Sequence, residues 1–202
     1  TAFLNIGTWS LLGVERKQPI LTDLGFELGI SNEQGPYQDI QCIMNIVGTW
    51  LLQECRREWT AEGRKVSYDE LEQQAALCDP FQRFIAPNSP DFALPGHMPE
   101  KIQAFCRKMG QRAPESAGEV VRCIYESLAF KYRRELEKLE QGIAEEAEKR
   151  PHGPKNFGRI EKLQILGGGA QSEMLCQMTA DICRKQVIVG QKQRLPIFLM
   201  MK

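Results

Sequence analysis

The chain has 202 residues, which is enough for one large domain with a sizeable core or for two small domains. Its 26 basic and 26 acidic residues balance, so the composition implies neither a nucleic-acid partner nor an anionic membrane surface. No apolar run approaches the length of a membrane span, and we expect a cytoplasmic protein.

Seven cysteines are an odd number for a secreted disulfide framework, and no cysteine or histidine cluster has zinc-site spacing. Reduced core cysteines are therefore expected. Cys176 and Cys183 are two helical turns apart, which is too far for a disulfide bond. Cys106 and Cys123 flank a turn and would meet if their helices pack antiparallel, so a disulfide between them stays open.

The first third of the chain predicts a hairpin followed by a buried helix. In "TAFLNIGTWSLLGVE" two β-prone runs join at Gly7–Thr8, and a third run is expected near Pro19–Leu21. The next stretch, "ISNEQGPYQD", is predicted to be a loop because it contains two breakers. Apolar residues then recur at helical spacing from Ile40 to Trp59, which predicts one helix carrying both Asn45 and Gln53.

Three further helices are predicted in the middle of the chain. The first opens with a capping box at Ser67–Glu70 and ends near Cys78, and the second spans Pro99–Gly110 after a proline-rich loop. Another capping box, at Ser116–Glu119, opens the longest helix. We interpret its charged end, 135–150, as a solvated face because opposite charges alternate there, and "RPHGPKN" is expected to close it.

The chain closes with a strand, a glycine turn, a helix and a strand. A strand from Ile160 to Leu166 leads into three glycines, a helix to about Cys183 and a last strand, "QVIVG". Strands first, helices next and this unit at the end predict a layered α/β domain. Glycine weakens regular structure by roughly 0.5–1 kcal/mol relative to alanine, so 167–169 must need bare backbone.

Two interpretations of these glycines stay open on the sequence alone. A glycine-rich turn into a helix lets backbone N–H groups approach a nucleotide. However, "GGGAQS" has neither the G-x-G-x-x-G spacing of a dinucleotide site nor the ending of a P-loop, so a tight crossing without ligand is an equal alternative.

Polar residues elsewhere favour a ligand without proving one. The tip Gly7-Thr8-Trp9-Ser10 could hold a phosphate through amides and hydroxyls, or it could simply be a turn. Asn45 and Gln53 are amides in an apolar segment, where each needs a hydrogen-bond partner from the protein or from a ligand. His97 and His152 lie beside loop breakers and are not expected to be catalytic.

Four stretches together resemble the C-terminal half of sugar kinases of the FGGY family. They are "NIGTWSLLGVE", "ISNEQG" with "IMNIVGTWLLQECRRE", "RCIYESLAFKYRRELEKLE" and "ILGGGAQSEMLCQMTADICRKQVIVG", and the resemblance runs almost from Thr1 to Gly190. It implies an actin-like ATPase (ribonuclease H-like) fold, a three-layer α/β/α domain with a mixed sheet. Residues 1–202 would then be the C-terminal nucleotide-binding domain of a two-domain enzyme.

The specific branch of the family that the chain resembles implies ATP-dependent phosphorylation of the 1-hydroxyl of L-rhamnulose, with Mg²⁺. The expected partners are ATP, a ketose sugar and the N-terminal domain of the same enzyme. Alternatives are another FGGY kinase, acting on fuculose, xylulose or glycerol, and a non-catalytic binding protein with the actin-like fold.

The resemblance also implies roles for single residues. Thr8 matches a phosphate-contacting threonine, Gln53 a nucleotide-side glutamine and Gly168 a nucleotide-contacting glycine, with Gly167 and Gln171 beside it. Asn45 matches a position near the sugar. The catalytic aspartate of the family precedes the matching region, so no catalytic residue and no metal ligand is assigned here. We expect this chain alone to be inactive.

Some positions depart from the family pattern. Gln34 replaces a glycine of the Asn-Glu-Gly-Gly loop, and Ala86 and Leu94 replace Asp and Asn before prolines, which puts the sugar specificity in doubt. After "VIVG" the family continues with a Pro-x-Glu-Ala-Thr-Ala stretch, whereas 191–202 reads "QKQRLPIFLMMK". A frameshift or truncation is therefore expected, which would uncover apolar surface and favour self-association.

Overall fold

The computed structural model describes residues 1–149 and 159–190. The strands are β1 (Ala2–Ile6), β2 (Trp9–Arg16), β3 (Ser31–Gln34), β4 (Ile40–Val47), β5 (Lys162–Leu166) and β6 (Gln186–Val189). The helices are α1 (Asp23–Glu27), α2 (Trp50–Ala61), α3 (Tyr68–Ala76), α4 (Met98–Lys108), α5 (Ala117–Glu148) and α6 (Glu173–Cys183). None of these helices combines the length and the apolar character needed to cross a membrane.

The six strands form one mixed sheet in the order β3-β4-β2-β1-β5-β6. The first four pair antiparallel, whereas β5 pairs parallel to β1 and β6 parallel to β5. Parallel neighbours need a crossover, which here is supplied by α2 to α5 before β5 and by α6 before β6. The predicted hairpin, glycine turn and closing strand are therefore confirmed.

The core lies between one face of the sheet and α5. Leu4, Leu12 and Ile46 alternate inward and are fully buried, and the buried Tyr132 of α5 hydrogen-bonds Ser10 at 2.8 Å. Helices α1, α2, α3 and α6 all contact α5, whereas α4 contacts α2. The exposed Asn45 marks the other face, and the third layer stays a prediction.

The two predicted capping boxes are present. The Ser67 hydroxyl accepts from Glu70 N–H and the Glu70 carboxylate accepts from Ser67 N–H, and Ser116 and Glu119 do the same at α5. Each box satisfies amide groups that a helix start leaves without partners. The predicted starts of α3 and α5 are accordingly confirmed.

The prediction of one helix from Ile40 to Trp59 was wrong. Residues 40–47 form β4, and α2 begins only at Trp50. A short apolar run cannot be assigned by periodicity alone, and this one is rich in β-branched residues that favour strands. β4 lies between β2 and β3, so residues on both of its faces are sheltered and no clean alternation is visible.

The predicted third strand near Pro19–Leu21 was also wrong. That segment is irregular, and β3 lies in the stretch that was predicted to be a loop. The Asn32 side chain accepts from Ile20 N–H at 2.8 Å and donates to Ile20 C=O at 3.0 Å. One amide side chain thus supplies both bonds that a neighbouring strand would have provided.

The prediction that the charged end of α5 is a solvated face was wrong in part, because two of its carboxylates are buried. Glu135 is buried and accepts from Lys131 and Lys138 at 2.6 and 3.2 Å. Glu146 is buried with Arg16 at 2.9 Å. A charge can be buried only when it is paired, and Arg16, which pairs with Glu146, comes from β2, which a pattern within one helix cannot indicate.

The seven cysteines are free thiols, and six of them are buried. The Cys106 and Cys123 side chains interact with each other, so the two residues are close in space but form no disulfide bond. The predicted breaker at 150–156, His152 and the atypical tail at 191–202 lie outside the described residues.

Candidate functional site

The tripeptide Gly-Thr-Trp occurs twice, at 7–9 and at 48–50, and the fold brings the two copies together. Gly48 N–H donates to Thr8 C=O at 3.0 Å, and Thr49 N–H donates to Gly7 C=O at 2.8 Å. A Cβ on Gly48 would lie 2.7 Å from Ser10 Oγ, so only glycine permits this approach. The hairpin tip is thereby fixed against the start of α2.

Thr8 and Gln53 lie together at this edge, as the resemblance implies for two nucleotide-side residues. The Thr8 hydroxyl donates to Gln53 Oε1 at 3.0 Å. Gln53 Nε2 donates to Thr49 Oγ1 at 3.1 Å, and that hydroxyl donates to Gly7 C=O at 2.9 Å. The relay orients the Gln53 amide and leaves the exposed Thr8 side chain at the surface, where it can exchange its partner for a ligand.

The three glycines after β5 have different reasons to lack side chains. Gly167 has φ of 84°, and a Cβ there would lie 2.6 Å from Ile6 C=O. A Cβ on Gly169 would lie 2.7 Å from Ile6 Cβ. A Cβ on Gly168, by contrast, meets nothing within 4 Å, and the φ of Gly168 is not in the left-handed region. Neither backbone strain nor packing within the described residues explains glycine at 168.

Gly168 borders a cavity of about 520 Å³, which we call the glycine-turn cavity. Its volume is within the range of small-molecule sites. Its walls combine bare backbone, hydroxyls, amides and charged side chains from the hairpin, α2, α3, α5 and the turn before α6. The lining residues are Gly7, Thr49, Leu52, Gln53, Arg56, Ser67, Tyr68, Asp69, Glu72, Tyr125, Gly168, Gly169, Gln171 and Ser172.

The structure brings most, but not all, of the predicted site residues to this cavity. Gln53, Gly168 and Gln171 line it, and Thr8 reaches it through Gln53. Gly167 shapes the turn without lining the cavity. Asn45 is exposed on β4, opposite Leu11, and is not among the lining residues, so any role near a sugar would belong to a separate subsite.

Several lining residues were missed by the sequence analysis. Arg56 stacks on Tyr68, and Glu72 accepts a hydrogen bond from Tyr125. The two members of each pair belong to different helices. No spacing rule joins them, because only the tertiary fold places them in contact. Thr49 could have been found from the sequence, since the repeated Gly-Thr-Trp contains the residues that join the hairpin tip to the start of α2.

The sequence matches the model of the FGGY family of carbohydrate kinases, C-terminal domain, over residues 2–196. The chain belongs to the FGGY family of carbohydrate kinases. It is 39% identical over 189 residues to a rhamnulokinase of Bacillus subtilis and 40% identical to one of Bacteroides thetaiotaomicron. Each match covers 94% of this chain and 36% of the relative, so the FGGY chain spans about a third of the length of these relatives.

Solved structures of FGGY kinases share the fold. A xylulose kinase from Lactobacillus acidophilus superposes with a TM-score of 0.62 at 13% identity, covering 96% of this chain and 35% of that one. A Plasmodium falciparum glycerol kinase with ADP gives 0.53 at 12% identity, with coverage of 96% and 35%. The predicted α/β class and mixed sheet of this kinase fold are thereby confirmed.

Proposed function

We propose that this chain is the nucleotide-binding part of an ATP-dependent kinase that phosphorylates the 1-hydroxyl of L-rhamnulose. The observation that carries the nucleotide assignment is Gly168, whose missing side chain leaves open space in the cavity wall. The sugar assignment is supported by the rhamnulokinases among the relatives. A cytoplasmic location stays a prediction.

Within this proposal the chain positions the nucleotide. Phosphoryl transfer depends mainly on positioning and on stabilising charge, and bound Mg²⁺–ATP supplies the phosphoryl group and the neutralising cation. The Thr8 hydroxyl would turn from Gln53 to a phosphate oxygen, and the Gln53 amide would keep its orientation through Thr49. Gly168 and Gln171 would line the nucleoside.

The remaining parts of the reaction lie elsewhere in this proposal. The base that accepts the sugar proton and most sugar contacts would come from an N-terminal domain, with Asn45 contributing from the other face of the sheet. Mg²⁺ would bind mainly through ATP phosphates and water, as it commonly does in kinases.

The test is a coupled assay of ADP formation by the full-length gene product, with L-rhamnulose, L-fuculose, D-xylulose and glycerol as substrates. We expect kcat/KM to be highest for L-rhamnulose. A higher value for another sugar would replace the substrate assignment with that sugar. Nucleotide binding without turnover on any of the four would favour a non-catalytic binding protein.

The variant Gly168→Ala tests the nucleotide site itself. We expect KM for ATP to rise at least about tenfold, equivalent to ~1.4 kcal/mol, because a methyl group would occupy the ligand's space. The unfolding free energy should not fall, since the added Cβ touches no described residue. An unchanged KM would remove the nucleotide from this cavity.

A further inference from the structure

The glycine-turn cavity has a second end, formed by α2 and α3. Arg56 Nε donates to Val66 C=O at 2.9 Å, and its guanidinium carbon lies 4.6 Å from the centre of the Tyr68 ring. Tyr68 is exposed. A backbone anchor and an aromatic face thus hold a planar cation in one orientation, which is the geometry on which a flat heterocycle can stack.

A carboxylate lies at the same end of the cavity. Glu72 Oε1 accepts from the hydroxyl of the buried Tyr125 at 3.0 Å. Burial raises the pKa of Tyr125, so its hydroxyl stays protonated and remains a donor. Within residues 1–149 and 159–190 no group donates to Glu72 Oε2, so this lining residue keeps one carboxylate oxygen without a protein donor.

The charges determine how a nucleotide can lie. Glu72 and Asp69 place two carboxylates at the α3 end against one guanidinium, that of Arg56, so the net negative charge there would repel a polyphosphate. The hairpin end offers neutral donors, the Thr8 hydroxyl and the Gln53 amide, instead. Phosphates are therefore favoured at the hairpin end and the base at the α3 end, with Gly168 along the cavity wall.

We propose that the nucleobase stacks on the outer face of the Arg56–Tyr68 pair and that Glu72 accepts a hydrogen bond from its 6-amino group, which makes these three the residues that select adenine nucleotides. This inference rests on the proposed function, because it assumes that a nucleotide occupies the cavity. The amino group of adenine is a donor that matches Glu72 Oε2, whereas a 6-carbonyl would bring two acceptors together.

The experiment compares ATP with purine riboside triphosphate, which lacks only the 6-amino group, by measuring Kd for the full-length protein. The unmodified protein should bind ATP about tenfold more tightly, because the lost bond is to a charged acceptor. Glu72→Ala should reduce this preference to about twofold or less, and Glu72→Gln, which keeps an acceptor oxygen, should retain part of it. Glu137→Ala, at an exposed carboxylate bonded to Arg133, is the matched control.

The stacking contact has a different signature. Arg56→Ala should weaken both nucleotides by about the same factor, roughly tenfold, since stacking does not depend on the amino group. Arg56→Lys should recover little of the affinity, because lysine keeps the charge but lacks the plane. Arg64→Ala, at an exposed arginine paired with Glu62, is the control for loss of positive charge.

The outcomes separate this inference from the proposed function. If Glu72→Ala keeps the full preference for ATP while Gly168→Ala weakens ATP binding, the base-selecting role is wrong and the nucleotide site stands. If Gly168→Ala also leaves Kd unchanged, both are wrong. An Arg56→Lys protein that binds as well as the unmodified one would show that charge, and not stacking, is what Arg56 supplies.

Discussion

Two cavities of similar size differ in their walls. The glycine-turn cavity, about 520 Å³, is lined by apolar surface together with bare backbone and polar groups from five parts of the fold. A second cavity of about 420 Å³, which we call the phenylalanine cavity, lies between segment 84–88 and α5. Its walls are mainly apolar, with Phe84 and Phe130 in edge-to-face contact at 5.4 Å.

The comparison shows that the groups lining a cavity say more about ligand binding than its volume does. In the phenylalanine cavity two lining polar side chains already have protein partners, since Ile85 N–H donates to Ser127 Oγ and Lys131 pairs with Glu135. In the glycine-turn cavity there is free space beside Gly168 that packing does not require. Glu72 also has a carboxylate oxygen to which no described residue donates. A ligand site would require open space and an unused acceptor, and the glycine-turn cavity has both beside Gly168 and Glu72.

The strongest test of this comparison uses two neighbouring glycines. Gly169→Ala should lower the unfolding free energy by about 1–3 kcal/mol, because its Cβ overlaps Ile6. Gly168→Ala should keep that free energy or raise it by up to about 1 kcal/mol, since alanine restricts the unfolded chain. Urea unfolding measures both. Equal losses in the two variants would mean that Gly168 is structural and that the cavity has no special opening.

The phenylalanine cavity should affect stability alone. Phe130→Ala removes edge-to-face contacts with Phe81 and Phe84, and we expect a loss of about 1–2 kcal/mol in the unfolding free energy. Kd for ATP, measured by calorimetry on the full-length protein, should not change. A clear rise in Kd would show that the two cavities are coupled and that the contrast between them is false.

The ion pair between Arg83 and Glu119 lies outside the glycine-turn cavity and should affect stability only. Glu119 is partly buried, which by itself raises its pKa, but bonds from Glu115 and Ser116 N–H and the charge of Arg83 hold the pKa below its ordinary value. Glu119→Gln should therefore cost about 1 kcal/mol at pH 7. A carboxylate with a lowered pKa stabilises the fold above the unfolded pKa, and this stabilisation is lost as pH falls through the folded pKa.

The difference in unfolding free energy between the unmodified protein and Glu119→Gln should accordingly be constant from pH 7 to about 4.3. It should shrink below that value. Chemical unfolding at a series of pH values measures it. A difference that grows on acidification would contradict the role of the carboxylate charge.

The smallest stability effect is expected at the hairpin tip. Thr8→Val removes one exposed hydrogen bond, so the unfolding free energy should change by less than about 0.5 kcal/mol. KM for ATP should nevertheless rise several-fold, and Thr8→Ser, which keeps the hydroxyl, should remain close to the unmodified protein. Equal KM values for Val and Ser would remove the hydroxyl from phosphate binding.

Local signals determined much of this protein. Two capping boxes fixed the starts of α3 and α5, because the serine and the glutamate that satisfy the first amides are three residues apart in the chain. The three glycines likewise marked the junction of β5 and α6, because glycine is unfavourable inside a strand or a helix. Resemblance to a family is what predicts roles for Thr8, Gln53 and Gly168, since periodicity does not single these residues out.

The tertiary structure decided the rest, because burial and pairing depend on residues far apart in the chain. β4 became a strand since β2 and β3 enclose it, and Glu135 became buried since two lysines neutralise it. The sequence showed that three glycines need bare backbone. Only the fold distinguished Gly169, which packs on Ile6, from Gly168, whose missing side chain leaves space for a ligand.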